Sequence, residues 1–266
     1  MLVFVFIISL VLGSFINCLI YRLYKNESIW GRSYCPSCRN KIAWYDNIPV
    51  ISFVMLKAKC RSCRKDIPWQ YPLVELITAI LLTFSFFKIF GSLNFYNLVL
   101  NGFSFNISNI LLLIRDWFFI LSLIIVFVYD LKWQEIPMLV VWPASITIFI
   151  INFVLVENIG SLILSAVIGL SFFLIQYLAT SKKGLGEGDI WLGLLIGTFF
   201  ANWQLLLVAL FVSYIIGAIV SLYILKKKKN IKLKVPLGPF LVAGSIIVLF
   251  FGFNLLNYYL GLFPCC

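Results

Sequence analysis

Long apolar segments separated by short polar ones dominate this sequence and restrict what it can fold into. Most of the segments approach the roughly 20 residues that a helix needs to cross a bilayer. Hydrophobic residues make up 62% of the chain and charged residues 12%, too few to cover a soluble fold. The pattern predicts an all-α integral membrane protein, a bundle of about eight transmembrane helices. The apolar segments are 2–21, 72–90, 107–129, 138–156, 160–180, 190–201, 204–225 and 236–258.

Basic residues are distributed unevenly between the two predicted sides of the membrane. With eight spans, the segments on one side hold 19 of the 21 Lys and Arg residues, and this side is predicted to be cytoplasmic. Both termini are then extracytoplasmic, in a bacterial inner membrane. Because the segment at 190–201 is short, seven spans is the chief alternative. The predicted cytoplasmic segments are 22–71, 130–137, 181–189 and 226–235.

The chain has no histidine, which excludes every mechanism that needs an imidazole. Acid–base chemistry must then use carboxylates, lysines, tyrosines or cysteines. The net charge of +11 is clustered between apolar segments. We interpret it as a topology signal rather than as a sign of nucleic-acid binding.

Four cysteines occur in the longest polar segment. We expect a first helix at 1–21, a small cytoplasmic domain at 22–71 and a membrane domain of about seven helices at 72–266. Two Cys-x-x-Cys pairs separated by 21 residues can give four thiolates to a tetrahedral Zn²⁺. A site closed by four sulfurs would be structural, and disulfides are the alternative that a reducing cytoplasm disfavours. The predicted ligands are Cys35, Cys38, Cys60 and Cys63.

Two aspartates stand at predicted cytoplasmic ends of apolar segments. Asp130 ends one segment and Asp189 begins another. Ionisable groups at a membrane boundary are costly and are candidates for function. Two carboxylates at one depth, without histidine, indicate an aspartic protease pair. The glycines of the preceding loop, Gly184, Gly186 and Gly188, are predicted to let a substrate chain approach.

Two other interpretations of the aspartates stay open at this point. An aspartate at a helix end is often only a cap, and Asp189 fits that role. The chain could also be a transporter or a zinc-stapled assembly scaffold in which the carboxylates bind protons or cations. Composition alone does not separate these possibilities.

An ordered set of motifs resembles the bacterial type IV prepilin peptidases, the leader peptidase/N-methyltransferases of the A24 type. The resemblance spans most of the chain, and the motifs follow one another in family order and spacing. They are GSFINCLIYRL at 13–23, CPSC at 35–38, WYDNIPVISF at 44–53, CRSC at 60–63, YPLVEL at 71–76, DLKWQEIP at 130–137, GEGD at 186–189 and VPLGPFLVAG at 235–244.

The resemblance implies a membrane aspartic endopeptidase that removes the basic leader of prepilins or pseudopilins at the cytoplasmic face. It implies Asp130 and Asp189 as the catalytic pair, the four cysteines as metal ligands, and methylation of the new N-terminus from S-adenosylmethionine. The chain departs from the family pattern at Tyr24, Ala58 and Trp191, where Pro, Gly and Lys are common. A peptidase without methyltransferase activity is therefore an alternative.

Overall fold

Every predicted apolar segment forms a helix in the computed structural model of this chain. The structure describes residues 1–91, 106–155, 158–180, 185–228 and 236–262. Within these ranges it has no β-strand, so the all-α prediction is confirmed. The helices are α1 (Leu2–Lys25), α2 (Ile51–Met55), α3 (Gln70–Phe90), α4 (Ile107–Trp133), α5 (Met138–Leu155), α6 (Ile159–Ala179), α7 (Glu187–Phe200), α8 (Trp203–Lys228) and α9 (Gly238–Leu262).

Seven of these helices are long and apolar enough to cross a membrane, among the residues described. The exceptions are the short helix α2 and helix α7. Helix α7 has 14 residues, and at 1.5 Å per residue it is about 21 Å long, shorter than the roughly 30 Å of hydrocarbon. The segment predicted at 190–201 is thus helical, but its length distinguishes it from the seven candidate spans.

The chain divides into two compact units, Met1–Asn109 and Ile110–Cys266. In the first unit, α1 packs along α3, and a Cβ built on Gly13 would lie 2.7 Å from the Cα of Glu75. The two helices therefore approach closely at that point. In this division α3 belongs with α1, and the sequence-based assignment of 72–266 to a single membrane domain stays a prediction.

Helix α7 is surrounded by other helices of the second unit. It packs against α6 and α5, and its residues from Leu195 to Phe199 are buried. Contact with α6 is backbone to backbone: a Cβ built on Gly193 would lie 2.5 Å from the carbonyl oxygen of Gly169. Glycine at these positions allows a short helix to be enclosed by its neighbours.

The C-terminal end of α7 is capped by side chains of neighbouring helices. Asn152 Nδ2 donates to the carbonyl oxygens of Thr198 (2.7 Å) and Phe199 (3.1 Å). Arg115 donates to Asn152 Oδ1 (3.1 Å) and pairs with Asp116 (2.7 Å). The two bonds from Asn152 satisfy carbonyls that the end of a helix leaves unpaired, and Arg115 in turn holds the Asn152 side chain.

Candidate active site and metal centre

Asp130 lies near the C-terminal end of α4, with 5% of its surface exposed. The backbone N–H of Gly238, at the start of α9, donates to its carboxyl group. A Cβ built on Gly238 would lie 2.3 Å from Asp130 Oδ2. The approach of the α9 backbone to this carboxylate therefore requires glycine. Sequence reasoning gave Gly238 no role, although a Gly-Pro pair opening an apolar helix was the available signal.

Asp189 is the third residue of α7 and is 8% exposed. Its Oδ2 accepts a hydrogen bond of 3.1 Å from the backbone N–H of Gly186, the residue that caps the helix. This bond is one half of a capping box, and the other half is missing because the N-cap residue, Gly186, has no side chain. The capping interpretation of Asp189 therefore holds in part. It accounts for one of the two carboxylate oxygens and leaves Oδ1 for another role.

The two carboxyl groups lie near each other in the second unit, within range of an electrostatic interaction of Asp189 with Asp130. The loop after α4 also packs against the first turn of α7, since a Cβ built on Gly188 would lie 2.6 Å from Ile136 Cβ. The segment that follows Asp130 and the segment that precedes Asp189 are therefore in contact, and the absence of a side chain at Gly188 makes room for Ile136. The matched depth of the two aspartates in the membrane stays a prediction.

The predicted glycine loop has a different structural basis from the one expected. Gly186 has φ −78° and ψ 150°, which any residue adopts, and Gly188 lies within α7. Close packing against Ile136, rather than an unusual backbone conformation, explains the glycine at 188. Gly184 lies outside the described residues. Substrate binding by the three glycines stays a prediction.

The four predicted cysteine ligands form two similar turns in the first unit. In the first turn, the Cys35 N–H donates to the carbonyl of Asn40 (3.0 Å) and the Arg39 N–H to the carbonyl of Cys35 (2.8 Å). In the second turn, Cys60 and Arg64 take the corresponding positions, with bonds of 2.9 and 3.0 Å. Arg39 and Arg64 also share a left-handed backbone, with φ 56° and 60°. Each turn directs its two sulfurs toward the other turn.

The sulfur atoms form one cluster that fits a metal ion. All four Sγ atoms lie within 4.8 Å of one another, and Cys35 and Cys63 are 3.9 Å apart. A tetrahedral Zn²⁺ with Zn–S bonds of about 2.3 Å places sulfurs about 3.8 Å apart, so a small contraction suffices. The cysteines are free thiols, and 3.9 Å is far beyond the roughly 2.05 Å of a disulfide.

Contacts among the thiols favour ionisation of one of them, Cys35. Burial opposes its charge, but hydrogen bonds from the Cys38 and Ser37 backbone and from the Cys60 and Cys38 thiols outweigh burial and lower its pKa to about 7. Cys38 shows the opposite shift: despite a hydrogen bond from the Asn40 backbone, burial and the contacts with Cys35 and Cys63 raise its pKa to about 11. A thiolate is the form that binds metal. The chemistry of this donor set therefore fits a structural metal ion.

Polar contacts link the cysteine turns to the helices of the first unit. Arg22, which is buried at the end of α1, donates to the carbonyls of Gly31 and Arg32, both at 3.1 Å. Glu75 Oε2 on α3 accepts the N–H of Val50 at 2.7 Å. The charged side chains of Arg22 and Glu75 thus bind backbone groups of the segment between α1 and α3. These contacts explain why the two apolar helices carry charged residues at these positions.

An ion pair supports the second cysteine turn. Arg61 donates two hydrogen bonds of 2.7 and 2.6 Å to the carboxylate of Asp46, and these bonds hold the pKa of Asp46 below its usual value. Nearby, Ala58 has φ 58°, a conformation that favours glycine. This is the position where the sequence departs from the glycine common among the proteins it resembles.

Comparison with known proteins assigns the family. The family model described as Bacterial Peptidase A24 N-terminal domain matches residues 7–89, and the model described as Type IV leader peptidase family matches residues 117–222. The two matches correspond to parts of the first and second units, and the second includes both aspartates. No solved structure matches the chain.

Several curated relatives are similar over most of the chain, and each is named "Prepilin leader peptidase/N-methyltransferase". The relative from Vibrio cholerae is 34% identical, over 92% of this chain and 94% of its own length. The relative from Bacillus subtilis is 31% identical, over 98% of both chains. The relative from Pseudomonas aeruginosa is 28% identical, over 96% of this chain and 91% of its own.

The seven helices able to cross a membrane among the described residues, together with the family match, define a multi-pass membrane enzyme. This chain belongs to the type IV leader peptidase family.

Proposed function

We propose that this enzyme is an aspartic endopeptidase that removes the leader of prepilins or pseudopilins at the cytoplasmic face of a bacterial inner membrane. The names of its relatives supply the substrate class. The observation that carries the proposal is the burial of two carboxyl groups, Asp130 and Asp189, near each other in the second unit. In this proposal both chain termini are extracytoplasmic, and the cysteine segment is cytoplasmic.

In the proposed reaction the two carboxyl groups share one proton, because two adjacent like charges repel each other. The ionised member takes a proton from a water molecule, and the water oxygen attacks the scissile carbonyl carbon. The protonated member donates a hydrogen bond to the carbonyl oxygen. As the C–N bond breaks, this protonated carboxyl group gives its proton to the leaving amine, and the other carboxyl group keeps the proton taken from water.

Each carboxylate has a backbone donor that fixes its orientation. Gly186 N–H holds Oδ2 of Asp189, and Gly238 N–H holds Asp130. Both donors come from helix N-termini, where N–H groups lack partners within the helix. This support would keep the reacting oxygens in place without using a side chain that could itself take a proton.

The test of the proposal is conservative substitution of each aspartate. Asp130→Asn and Asp189→Asn should each leave a co-expressed prepilin at full length, with cleavage lowered by about a thousandfold or more. Glu135→Gln and Glu187→Gln are matched controls, because each removes an exposed carboxylate near one of the aspartates. Normal processing by either aspartate variant would contradict the proposal.

We propose that the enzyme also methylates the new N-terminus from S-adenosylmethionine, since its relatives carry both activities in their names. Mass spectrometry of the product from the same assay decides this point. A product with the mass of one added methyl group supports methylation, and an unmodified product supports the peptidase-only alternative.

We propose Zn²⁺ as the ion of the cysteine cluster. Four sulfur donors favour zinc over oxygen-binding cations, and four protein ligands close the coordination shell. The ion would therefore stabilise the segment between α1 and α3 and take no part in peptide hydrolysis.

A further inference from the structure

The short helix α2, in the segment between α1 and α3, exposes an apolar face. Ile51, Val54 and Met55 are 57%, 68% and 78% exposed, and their spacing places them on one side of the helix. The opposite side is used for packing, since the Phe53 ring is buried and its centroid lies 5.0 Å from that of Trp69. Helix α2 therefore turns three large apolar side chains outward.

Two exposed tryptophans lie next to this face. Trp44 begins a 3-10 turn at Trp44–Asn47 that packs against α2, and Trp69 precedes α3. Tryptophan is enriched where a membrane protein meets the boundary between lipid and water. An exposed apolar surface of this kind marks an interaction site. We call these five residues the α2 patch: Trp44, Ile51, Val54, Met55 and Trp69.

A hydrogen bond fixes the position of α2 along α3. The backbone N–H of Val50, at the start of α2, donates to Glu75 Oε2 at 2.7 Å. Glu75 is the sixth residue of α3, which places it about 7.5 Å along the helix axis from Gln70. Helix α3 has 21 residues, so its length of about 31 Å only just covers the roughly 30 Å of hydrocarbon. The start of α2 therefore lies at the boundary of the hydrocarbon.

The α2 patch is continuous with an exposed apolar stripe on α3. From Trp69 the stripe follows the helical spacing through Leu73, Leu76 and Ile80, all of them exposed. The exposed apolar side of a helix that crosses a membrane faces lipid chains. A partner arriving from solution would have to enter the bilayer to cover the patch.

Basic residues flank the α2 patch. Lys57 and Lys59 follow α2 directly and are exposed. Residues 22–71 contain ten Lys and Arg and three Asp and Glu, and one of these acids, Asp46, is paired with Arg61. This excess of positive charge attracts anionic lipid headgroups and repels a second copy of the same segment.

We propose that the α2 patch is a membrane-interface anchor. Its apolar side chains lie at the boundary between headgroups and acyl chains, and Lys57 and Lys59 contact anionic headgroups. The anchor would hold the four-cysteine segment against the membrane surface. The inference does not depend on the proposed peptidase function, because it uses only residues of the first unit.

The experiment uses the full-length protein in nanodiscs of equal parts phosphatidylglycerol and phosphatidylcholine. The photoreactive residue p-benzoylphenylalanine replaces Met55 in one variant and Ile51 in another. Irradiation bonds it to neighbouring C–H groups, and the mass of the intact protein identifies the attached lipid. Replacement of Ile80 is the matched control, since Ile80 is exposed at the middle of α3, a helix with no Lys or Arg before Lys88. Thermal unfolding confirms that each variant is folded.

Both α2 positions should form lipid adducts. Phosphatidylglycerol adducts should exceed phosphatidylcholine adducts about fivefold, since one basic residue near an anionic surface favours binding by about that factor. The control at Ile80 should form the two adducts in similar amounts. The double substitution Lys57→Gln, Lys59→Gln should bring the ratio at Met55 close to one and leave the ratio at Ile80 unchanged.

The absence of lipid adducts at both α2 positions of folded protein, with adducts at Ile80, would overturn the anchor. A crosslinked dimer in place of lipid adducts would also overturn it and identify the patch as an interface between copies of this chain. Equal amounts of the two lipid adducts at both α2 positions would overturn the role given to Lys57 and Lys59. None of these outcomes bears on prepilin cleavage, so the peptidase proposal stands or falls separately.

Discussion

At the scale of single residues, Gly238 controls the surroundings of Asp130. The α9 backbone approaches so closely that the position of a Cβ would be 2.3 Å from the carboxylate oxygen. No heavy atom fits there without displacing the aspartate. Glycine at this position is therefore required by packing against a candidate catalytic group rather than by backbone conformation.

The substitution Gly238→Ala should lower prepilin cleavage by about a hundredfold, because a displacement of about 1 Å at a reacting group costs that much. The measurement is kcat in detergent, with thermal unfolding as the test of folding. Gly160→Ala is the control, since its Cβ would meet only the flexible side-chain end of Asn158 at 3.2 Å. Full activity of a folded Gly238→Ala enzyme would contradict the geometry described for Asp130.

The sequence singles out the two aspartates as candidate catalytic residues, but it does not indicate which backbone N–H groups donate hydrogen bonds to them. Asp130 and Asp189 stand out because carboxylates are rare at the ends of apolar segments. Gly186 and Gly188 were noticed for conformational freedom, whereas one caps α7 and the other makes room for Ile136. Contacts of this kind depend on which helices become neighbours, and no local pattern contains that information.

At the scale of elements, α7 is stabilised at both ends, and its C-terminal end depends on a neighbouring helix. Its first turn is fixed by the Gly186–Asp189 bond, and its last carbonyls receive hydrogen bonds from Asn152. A helix of 14 residues that ends among apolar side chains would otherwise leave unpaired carbonyls. The cluster of Arg115, Asp116 and Asn152 thus stabilises the helix that carries Asp189.

Replacing Asn152 with Leu should destabilise the protein by about 2 kcal/mol, because the carbonyls of Thr198 and Phe199 lose their donor. The midpoint of thermal unfolding in detergent measures the effect, and prepilin cleavage should fall with it. Asn158→Ala, which removes an exposed cap of α6, should cost about 1 kcal/mol and leave cleavage unchanged. An Asn152→Leu protein as stable as wild type would show that these hydrogen bonds contribute nothing.

Hydropathy predicts where the helices lie in the sequence, but it does not predict which of them are long enough to cross the membrane and which is enclosed by other helices. Segment 190–201 looked like a short span, and the structure has a helix there that begins at Glu187, three residues earlier. Its length, its burial and its capping separate it from the seven candidate spans. Hydropathy measures how apolar a segment is and does not distinguish lipid from protein as its surroundings.

At the scale of the whole molecule, the four-cysteine cluster and the two aspartates belong to different compact units. The cysteine turns belong to Met1–Asn109, and both aspartates belong to Ile110–Cys266. The Cys-x-x-Cys spacing was enough to predict the cluster, because two such turns have few ways to converge. The grouping of α3 with α1 was not predictable, since it arises from the close contact at Gly13.

Removal of the metal should destabilise the first unit and leave the second unit folded. The purified protein should contain about one zinc ion per chain, and the double substitution Cys35→Ser, Cys60→Ser should abolish binding. Limited proteolysis should then cut between α1 and α3, while fragments of the second unit stay protected. Cys18→Ser, in α1, should retain the metal. Protease resistance between α1 and α3 in the metal-free double variant would contradict a structural role.

The length of α7 has a consequence for evolution and engineering. Because its far end is anchored by Asn152, inserting one residue in the middle of the helix would turn Asp189 by about 100° and move it by about 1.5 Å. Such a chain would keep its composition and hydropathy but lose the alignment of its carboxylates. Insertions and deletions should therefore be tolerated in the loops of this protein and rejected within this one helix.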